Sequence, residues 1–283
     1  MEKVLVTGAD GFIGRGIVRR LSSVGFEVVA SCLYKSEYLN EFDKVKTIES
    51  DIFCVEDPYN FYNQPDVLVH CAWRDGFKHN SLNHINDLPK HYNFINSLVE
   101  SGIKKIVVLG SMHEIGFYEG CIDESTPSNP MSLYGISKNA LRQMCELAVK
   151  GTDTKLQWIR GFYIVENTDY GCSIFSKLVK ASKEGKATFP FTSGINQFDF
   201  IDYDVFVNQV VAVVKNNKTF GIINCCSGRP MKLSDRVEKF IQDNNLNIKL
   251  DYGAFPDRPY DSLAIWGENK KICKILMENE NEK

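Results

Sequence analysis

The chain has 283 residues, of which 43% are hydrophobic and 24% are charged, and its formal net charge is −3. This composition is typical of an ordinary globular protein with a sizeable core, and the interspersed charges exclude an extended basic face for nucleic acid. No apolar run approaches the roughly 20 residues of a membrane span, and the first strand begins almost at Met1. We therefore expect a cytoplasmic protein without a signal peptide or membrane contact.

The cysteines and histidines do not predict a metal site. Nine cysteines lie at irregular spacings without a C-x-x-C pair, and several fall inside predicted strands and helices. The five histidines do not join them at metal-ligand spacing. We therefore expect reduced thiols and no structural metal.

Residues 4–14, VLVTGADGFIG, predict a strand, a tight turn and the start of a helix. Gly8 permits a positive φ, Gly11 lets a pyrophosphate approach the backbone, and Gly14 lets the helix lie close to the strand. The spacing is G-x-x-G-x-x-G and not the commoner G-x-G-x-x-G, and a purely structural turn can also use three glycines. Because free amides at the helix start suit phosphate, this order of elements predicts a bound dinucleotide. The expected contacts are Gly8, Asp10, Gly11, Phe12, Ile13 and Gly14.

The second strand, predicted at residues 26–31, bears on the choice of cofactor. NAD-selective proteins of this architecture carry an acid at the end of that strand, where this chain has Cys32. Because the carboxylate is missing and Arg15 and Lys35 are near in sequence, the site should tolerate a 2′-phosphate. The sequence therefore favours NADP(H), with NAD(H) as the alternative. Lys35 could equally be a solvated loop lysine.

The following segments predict alternating strands and helices. Asp51 and Ile52, at the end of the third strand, are expected near the adenine, and Cys71 and Ala72, at the end of the fourth, beside the cofactor. A helix is predicted from Pro89 to Ser101. The remaining predicted elements are strands at 66–72, 103–109, 156–160, 198–202 and 221–225, and helices at 133–149 and 174–185 and up to residue 215.

This alternation predicts an α/β fold with a parallel, doubly wound (Rossmann) sheet and a small C-terminal substrate lobe. The dinucleotide-binding domain is expected at residues 1–160, with 197–225 returning to the sheet. The small nucleotide-sugar-binding lobe is expected at 161–196 and 226–283.

Tyr134, Lys138 and Ser111 form the candidate catalytic group. Tyr134 and Lys138 are four residues apart on one helix, so both side chains share a face. A neighbouring ammonium favours the phenolate and can bring the phenol, with a usual pKa near 10, toward the working pH. Ser111, at the end of the fifth strand, would polarise the same substrate oxygen. Alone, Y-x-x-x-K could also be a surface pair on any helix.

The motifs TGADGFIG, HCA, GSMHEIG and YGISK occur in an order and spacing that span nearly the whole chain. Together they resemble the extended short-chain dehydrogenase/reductase family of nucleotide-sugar epimerases, dehydratases and ketoreductases. The resemblance implies that Tyr134 is the acid-base residue, that Lys138 holds the nicotinamide ribose and that Ser111 bonds the substrate hydroxyl. It also implies that Arg258 binds the diphosphate of the substrate. A homodimer is expected through the helices that contain Asn93 and Tyr134.

The departures from the family pattern narrow the activity. The dehydratase branch has an acid pair after the position of Ser111, where this chain has Met112 and His113, so dehydration is not expected. The arginine that many members use for a nucleotide or phosphate contact is replaced by Phe198. The usual Tyr-Gly-Pro segment is replaced at residues 165–167, which weakens substrate assignments in that loop.

Other segments, including FPFTSG, resemble bacterial 4-ketoreductases of dTDP-4-keto-6-deoxyhexoses, such as those that form dTDP-D-fucose. This implies hydride transfer from NADPH to C4 while Tyr134 protonates the alkoxide, in sugar synthesis for surface polysaccharides such as O-antigen and lipopolysaccharide. His113 and Glu114 are expected near the sugar, although His113 could instead be a loop histidine with a backbone partner. The expected substrate contacts are Ser111, Met112, His113, Tyr134, Ser173 and Arg258.

Two alternatives remain open at this point. A C4 epimerase would use the same three residues but would retain NAD and return the hydride to the opposite face. A non-catalytic dinucleotide sensor would keep the fold without the chemistry, although such proteins commonly lose the tyrosine or the lysine.

Overall fold

The computed structural model describes residues 2–34, 36–171, 173–257 and 261–281. Lys35 and Arg258, which the sequence assigns to the cofactor and the substrate, lie outside these ranges. Within them, no helix is both long and apolar enough to cross a membrane. The helices are α1 (Gly14–Ser23), α2 (Pro58–Phe61), α3 (Asn83–Glu100), α4 (Leu133–Ala148), α5 (Ile174–Lys183), α6 (Tyr203–Lys215), α7 (Leu233–Asp243) and α8 (Lys270–Asn281). The strands are β1 (Lys3–Thr7), β2 (Glu27–Cys32), β3 (Val45–Glu49), β4 (Val67–His70), β5 (Lys105–Ser111), β6 (Gly120–Ile122), β7 (Lys155–Gly161), β8 (Tyr163–Val165), β9 (Thr188–Pro190), β10 (Gln197–Asp202), β11 (Gly221–Cys225), β12 (Pro230–Lys232), β13 (Lys249–Asp251) and β14 (Ala264–Gly267).

The larger sheet is parallel throughout, with the strand order β11-β7-β5-β4-β1-β2-β3. The chain runs from β1 outward to β3 and then returns to β4, which pairs with the other side of β1. Such a reversal leaves a crevice beyond the carboxyl ends of the two strands where the order changes. The predicted doubly wound α/β fold is confirmed, and it places the crevice at β1 and β4.

Alternation along β1 divides the core between two layers of helices. Val4 and Val6 pack on one side of the sheet in a cluster with Ile17 of α1, whereas Leu5 packs on the other side with Leu141 of α4. Successive strand residues face opposite sides, so one strand anchors both layers. Burying each of these side chains stabilises the fold by about 1.5–3 kcal/mol. The face of α4 that carries Leu141 is thereby held against the sheet.

Helix α3 begins at Asn83, not near Pro89 as predicted. Pro89 lies inside the helix, and the buried face already includes His84 and Asp87 before the proline and continues through His91. Proline removes one backbone hydrogen bond from a helix interior. Burial of a continuous face outweighs that loss here.

A smaller sheet has the order β12-β10-β14-β6, and β8 pairs with β10. Of residues 197–225, which we expected to return to the larger sheet, β11 joins that sheet and α6 packs on it, whereas β10 pairs within the smaller sheet. Phe198 and Phe200 of β10 belong instead to a second apolar cluster. Helix α8, expected in the small lobe, places Ile272 and Ile275 in the core beneath the larger sheet. Helix α6 packs between α1 and α8 and is buried around most of its surface. Helix α8 therefore covers the side of α6 that α1 leaves open.

Candidate active site

The glycine-rich turn between β1 and α1 lies at the reversal point of the larger sheet. Gly8 has a φ of +62°, and a Cβ there would lie 2.8 Å from the backbone nitrogen of Ala72. A Cβ on Gly14 would overlap the carbonyl oxygen of Gly8. Among the described residues, no side chain caps the first turn of α1 and no acid occupies it. The turn therefore fits the diphosphate of a dinucleotide, which needs close backbone approach and unopposed amides.

A carboxylate whose role was not foreseen stands at the end of β2. The amide of Ala9 donates to the carbonyl oxygen of Ser31 over 3.2 Å, which fastens the turn to that strand. Burial together with the nearby charge of Asp10 raises the pKa of Cys32 to about 12. The thiol therefore stays protonated beside the carboxylate. Asp10, which is exposed, supplies from the turn the acid that the strand end lacks.

Arg15 does not provide the cationic surroundings that the sequence predicts at Cys32. Its guanidinium lies 3.6 Å from Oε2 of Glu166, in the segment after β8. It also stacks over the rings of Phe12 and Tyr170, at 5.9 and 5.5 Å from their centroids. Because the charge of Arg15 is already paired, the physical basis for expecting a 2′-phosphate is absent from this part of the site.

The other predicted cofactor residues lie along the same edge of the sheet. Asp51, two residues beyond β3, accepts a 2.9 Å bond from the amide of Phe53 and so caps a short 3₁₀ helix. Ile52 is buried within that helix. Cys71 and Ala72 follow β4 directly, and their amides donate to Thr7, at its carbonyl and hydroxyl oxygens. These positions surround the turn but do not by themselves select a ligand.

Tyr134, Lys138 and Ser111 are brought together as predicted. Ser132 caps α4 by accepting a 3.1 Å bond from the amide of Gly135, which sets the start of the helix. The Ser111 hydroxyl at the end of β5 lies beside the phenol of Tyr134, close enough to favour its ionised form. Lys138 Nζ donates to the carbonyl oxygen of Leu109 over 2.7 Å.

The expected tuning of the phenol by the lysine is not observed. Burial raises the pKa of Tyr134 to about 12, and it is the bond from Ser111 that opposes this rise. Burial lowers the pKa of Lys138 to about 7, and the charge of Glu114 opposes that fall. The ammonium is held by Leu109 and lies 3.8 Å from the centroid of the Trp73 ring. The Lys138 ammonium therefore interacts with Leu109 and Trp73 and does not lower the pKa of the phenol. Tyr134 stays protonated and can act as a proton donor.

Four histidines and a tryptophan that the sequence did not assign to the site surround this group, together with the predicted His113. His79 stacks on Tyr134 with centroids 5.4 Å apart, and His113 lies 4.5 Å from His79. Trp73 stacks on His91 at 4.5 Å. The remaining contacts are those of His84 with Trp73 and Tyr134, and of His70 with His91. Residues 73–82, which follow β4, thus form one wall around the phenol, which we call the 73–82 loop.

The predicted substrate residues divide into two groups. His113 is half-buried, with its ring 6.0 Å from Tyr134 and 6.5 Å from Tyr163, and burial together with His79 lowers its pKa to about 4. Its predicted place beside the tyrosine is observed. Met112 is 5% exposed, close to the 7% of Ser111, and its contact with the sugar stays a prediction. Glu114, expected near the sugar, is 0% exposed and turns instead toward the Ser111 amide and Trp158 inside the protein.

Two further positions have local roles. Ser173 caps α5 by accepting a 3.1 Å bond from the amide of Ser176. Phe198, which replaces the family's arginine, packs its ring 4.5 Å from Tyr163 and 6.2 Å from Phe200. An arginine at position 198 would place a charge in this apolar cluster.

The position of the 73–82 loop in the fold could have indicated some of the site residues that the motifs did not. The 73–82 loop follows a strand of the larger sheet at its carboxyl end, the edge where ligands bind in such folds. Trp73 and His79 therefore carried a positional signal. Asp10 was expected at the cofactor, but its place beside the end of β2 carried no signal, since only the folded turn brings it there.

Residues 4–226 match the NAD dependent epimerase/dehydratase family. A dTDP-6-deoxy-L-talose 4-dehydrogenase (NAD(+)) from Aggregatibacter actinomycetemcomitans is 40% identical over 268 residues, which cover 93% of this chain and 98% of the relative. A dTDP-4-dehydro-6-deoxy-D-allose reductase from a Streptomyces species is 35% identical over 123 residues, 38% of this chain and 37% of the relative. Both names refer to position 4 of a dTDP-linked 6-deoxy sugar.

Solved structures share the fold at low identity. A UDP-glucuronic acid 4-epimerase from Bacillus cereus, in complex with UDP-glucuronic acid and NAD, superposes with a TM-score of 0.79 at 20% identity, covering 97% of this chain and 93% of its own. A UDP-glucose 4-epimerase from Thermotoga maritima with UDP-glucose gives 0.81 at 18% identity, covering 96% and 91%.

Proposed function

The chain belongs to the NAD dependent epimerase/dehydratase family, and from this premise we propose that it interconverts the 4-keto and 4-hydroxyl forms of a dTDP-linked 6-deoxyhexose. The family places it among the oxidoreductases that act on nucleotide sugars with a nicotinamide dinucleotide. The resemblance stated from its motifs is thereby confirmed. Its substrate, the direction of the reaction and the preferred dinucleotide are the proposal.

The observation that carries the proposal is the placement of the Ser111 hydroxyl beside the Tyr134 phenol, on the same helix whose Lys138 Nζ bonds the carbonyl oxygen of Leu109. A hydroxyl and a phenol that lie side by side can both bond to one substrate oxygen. They lie at the carboxyl edge of the sheet, near the glycine-rich turn. A carbonyl at C4 of a sugar is the kind of group that such a pair activates.

In the reductive direction the bound nicotinamide supplies a hydride to C4. The Tyr134 phenol gives its proton to the oxygen at C4 as that oxygen gains negative charge, and Ser111 bonds the same oxygen. Because burial raises the pKa of Tyr134 to about 12, the phenol is protonated at neutral pH and ready to donate. The oxidative direction reverses these steps, with Tyr134 receiving the proton of the 4-hydroxyl.

For the cofactor we propose NAD(H). The expected preference for NADP(H) has no support: Arg15 is paired with Glu166, and Asp10 stands at the strand end. A carboxylate there accepts from the ribose hydroxyls of NAD and repels a 2′-phosphate. The relative that is 40% identical also carries NAD(+) in its name.

For the substrate we propose the 6-deoxy-L-talose series first, on the name of the same relative, and the D-fucose series second. The product would be an activated 6-deoxysugar for a bacterial surface polysaccharide, such as an O-antigen. The apolar Phe198 in place of an arginine indicates that one nucleotide contact differs from that of other family members.

The test is an assay of NADH absorbance with the purified protein. We expect NAD⁺ reduction with dTDP-6-deoxy-L-talose and NADH oxidation with the corresponding 4-keto sugar. Tyr134→Phe should lower kcat by about 10²- to 10⁴-fold. The matched control is Tyr252→Phe, an exposed tyrosine of the second lobe that bonds Glu238, which should leave kcat unchanged.

The alternatives give other results in the same assay. Equilibration of C4 configuration by NMR without net NADH change, together with NAD retained through purification, would identify an epimerase. Binding of NAD without turnover of any dTDP-, GDP- or UDP-linked sugar would identify a sensor. Unchanged turnover by Tyr134→Phe would remove the proposed proton donor.

A further inference from the structure

Glu114 places a carboxylate inside the protein directly behind the candidate proton donor. Its side chain is 0% exposed. Its Oε1 accepts from the backbone amide of Ser111 over 2.6 Å and from the indole of Trp158 over 3.0 Å. Arg160 Nε lies 3.7 Å from Oε2. Because a buried charge costs several kcal/mol of lost solvation unless it is bonded and paired, this arrangement needs an explanation beyond packing.

The local sequence is built to admit this carboxylate. A Cβ at position 110 would overlap both Glu114 Oε1 and the Trp158 indole, so only Gly110 fits. Ser111 Oγ accepts from the amide of His113 over 3.3 Å, while Glu114 bonds back to the amide of Ser111. This reciprocal capping box fixes the backbone of Ser111 at the end of β5. Glu114 therefore holds the backbone that carries the hydroxyl beside Tyr134.

We infer that Glu114 is a positioning residue: through the Ser111 amide it holds the end of β5, and with it the Ser111 hydroxyl, toward the substrate side, and as a buried carboxylate it acts on Lys138 and Tyr134 from behind. The inference rests on the proposed function for its kinetic part. Glu114 thus joins Tyr134, Lys138 and Ser111 as a fourth residue of the site. Unlike these three, it contacts neither substrate nor cofactor.

Burial raises the pKa of Glu114 itself, while the charge of Arg160 and the bonds from Ser111 and Trp158 oppose that rise and favour the carboxylate. As a carboxylate, Glu114 affects both neighbours in the same direction. Burial lowers the pKa of Lys138 to about 7 and Glu114 counteracts this, while burial raises the pKa of Tyr134 to about 12 and Glu114 adds to that rise. Without the carboxylate, both pKa values fall. Arg160 would then remain as an unbalanced buried cation, which lowers them further.

Other titratable or charged groups face this network from neighbouring elements and remain the same in the variants below. They are His70 of β4, Cys71 after it, His91 of α3, Arg142 and Cys145 of α4, Arg160 of β7 and Asp123 after β6.

Two variants separate the charge from the hydrogen bond. Glu114→Gln removes the charge, so the basic limb of kcat/KM for sugar reduction, which reports loss of the phenol proton, should move to lower pH. Glu114→Asp keeps the charge but withdraws it from the Ser111 amide. It should lower kcat by roughly 10- to 100-fold and leave the basic limb in place. Asp199→Asn, which alters another fully buried carboxylate bonded to Ser227 and Gly267, should change stability but not the limb.

A second measurement needs no substrate. In protein labelled with ¹³C at the lysine ε-carbons, the Lys138 resonance, assigned by its loss in Lys138→Arg, should titrate at lower pH in Glu114→Gln than in the wild type. This readout decides the charge effect even if no sugar is turned over, in which case the proposed function fails separately.

A basic limb and a Lys138 titration that both stay at the wild-type pH in Glu114→Gln would overturn the inference. Should that variant not fold by circular dichroism, Glu114→Asp decides. A lowered kcat with an unchanged limb supports the inference, and wild-type kcat overturns it because the Ser111 amide bond would then be dispensable.

Discussion

The carbonyl oxygen of His79 accepts a 2.8 Å hydrogen bond from the amide of Tyr134, and the two rings are nearly parallel, 12° apart, at 5.4 Å. Asn80 reinforces this contact by accepting from the amide of Leu133 over 3.3 Å. The 73–82 loop thus caps the start of α4 and stacks on the phenol that α4 presents. The position of the tyrosine depends on a loop as well as on its own helix.

We expect His79→Ala to lower kcat/KM for the 4-keto sugar by roughly 3- to 10-fold, the kinetic equivalent of one aromatic pair. The backbone bond to Tyr134 survives this change, so the helix should still start at the same place. His79→Phe keeps a ring and serves as the control, with kcat/KM close to that of the wild type. Equal losses in both variants would assign the effect to the imidazole nitrogens and not to stacking.

Asp10 should decide between the two dinucleotides. We expect NAD⁺ to raise the melting temperature of the unliganded protein more than NADP⁺ does at equal concentration. Asp10→Ala should weaken NAD⁺ binding and strengthen NADP⁺ binding, since the charge that repels the 2′-phosphate is gone. Each hydrogen bond lost to a charged group costs about 1.5–3 kcal/mol.

Asp51→Asn is the matched control, because this exposed acid lies beyond β3 and not at the end of β2. It should affect NAD⁺ and NADP⁺ binding to the same degree. Wild-type protein that binds NADP⁺ as tightly as NAD⁺ would contradict the role given to Asp10.

Local patterns predicted much of the fold and the centre of the site. The alternation along β1 and the glycine spacing predict strand, turn and helix because each depends on neighbours within a few residues. Tyr134 and Lys138 share a face of α4 for the same reason. Their meeting with Ser111 follows from the parallel sheet, which brings strand ends and helix starts to one edge.

The remainder depends on contacts between segments far apart in the chain. Asp10 reaches Cys32 only through the folded turn, and Glu114 turns inward because Gly110 leaves space and Arg160 supplies a charge. The helix start predicted near Pro89 was wrong, because the residues before it are helical. Their helix is stabilised by burial of one face, which is a tertiary effect. The pairing of Arg15 with Glu166 likewise joins two halves of the chain, and it removes one of the grounds for expecting NADP(H).

The expected homodimer can be tested on the two helices that pack together in the structure, α3 and α4. Leu82 and Ile85 near the start of α3 and Ile136 of α4 are exposed large apolar side chains, and such residues stabilise helix-mediated interfaces. We expect a dimer by light scattering at micromolar concentration and a monomer for Ile136→Glu. Met277→Glu, at an exposed apolar residue of α8, should remain dimeric. Monomeric wild type would contradict the assembly.

The stability of the protein should fall in mild acid because of its buried histidines. His91 Nδ1 lies 2.9 Å from His70 Nε2, and His70 Nδ1 lies 2.8 Å from the Thr7 hydroxyl. Burial lowers the pKa of His91 to about 3 and that of His70 well below its usual range. An unfolded histidine takes up its proton near pH 6.5. Between pH 6.5 and about 3, this histidine therefore binds a proton in the unfolded chain but not in the folded protein. The free energy of unfolding is thus highest above pH 6.5 and decreases as the pH falls.

For one such histidine the free energy of unfolding should drop by about 2 kcal/mol between pH 7 and pH 5. Urea unfolding at the two pH values measures this drop, and His91→Asn should reduce it by that amount even if the variant is less stable overall. Phe53→Leu is the control, because Phe53 packs edge-on against His91 with centroids 4.8 Å apart but does not titrate. It should lower stability equally at both pH values. The same drop in wild type and His91→Asn would show that His91 takes up its proton in the folded protein as readily as in the unfolded chain.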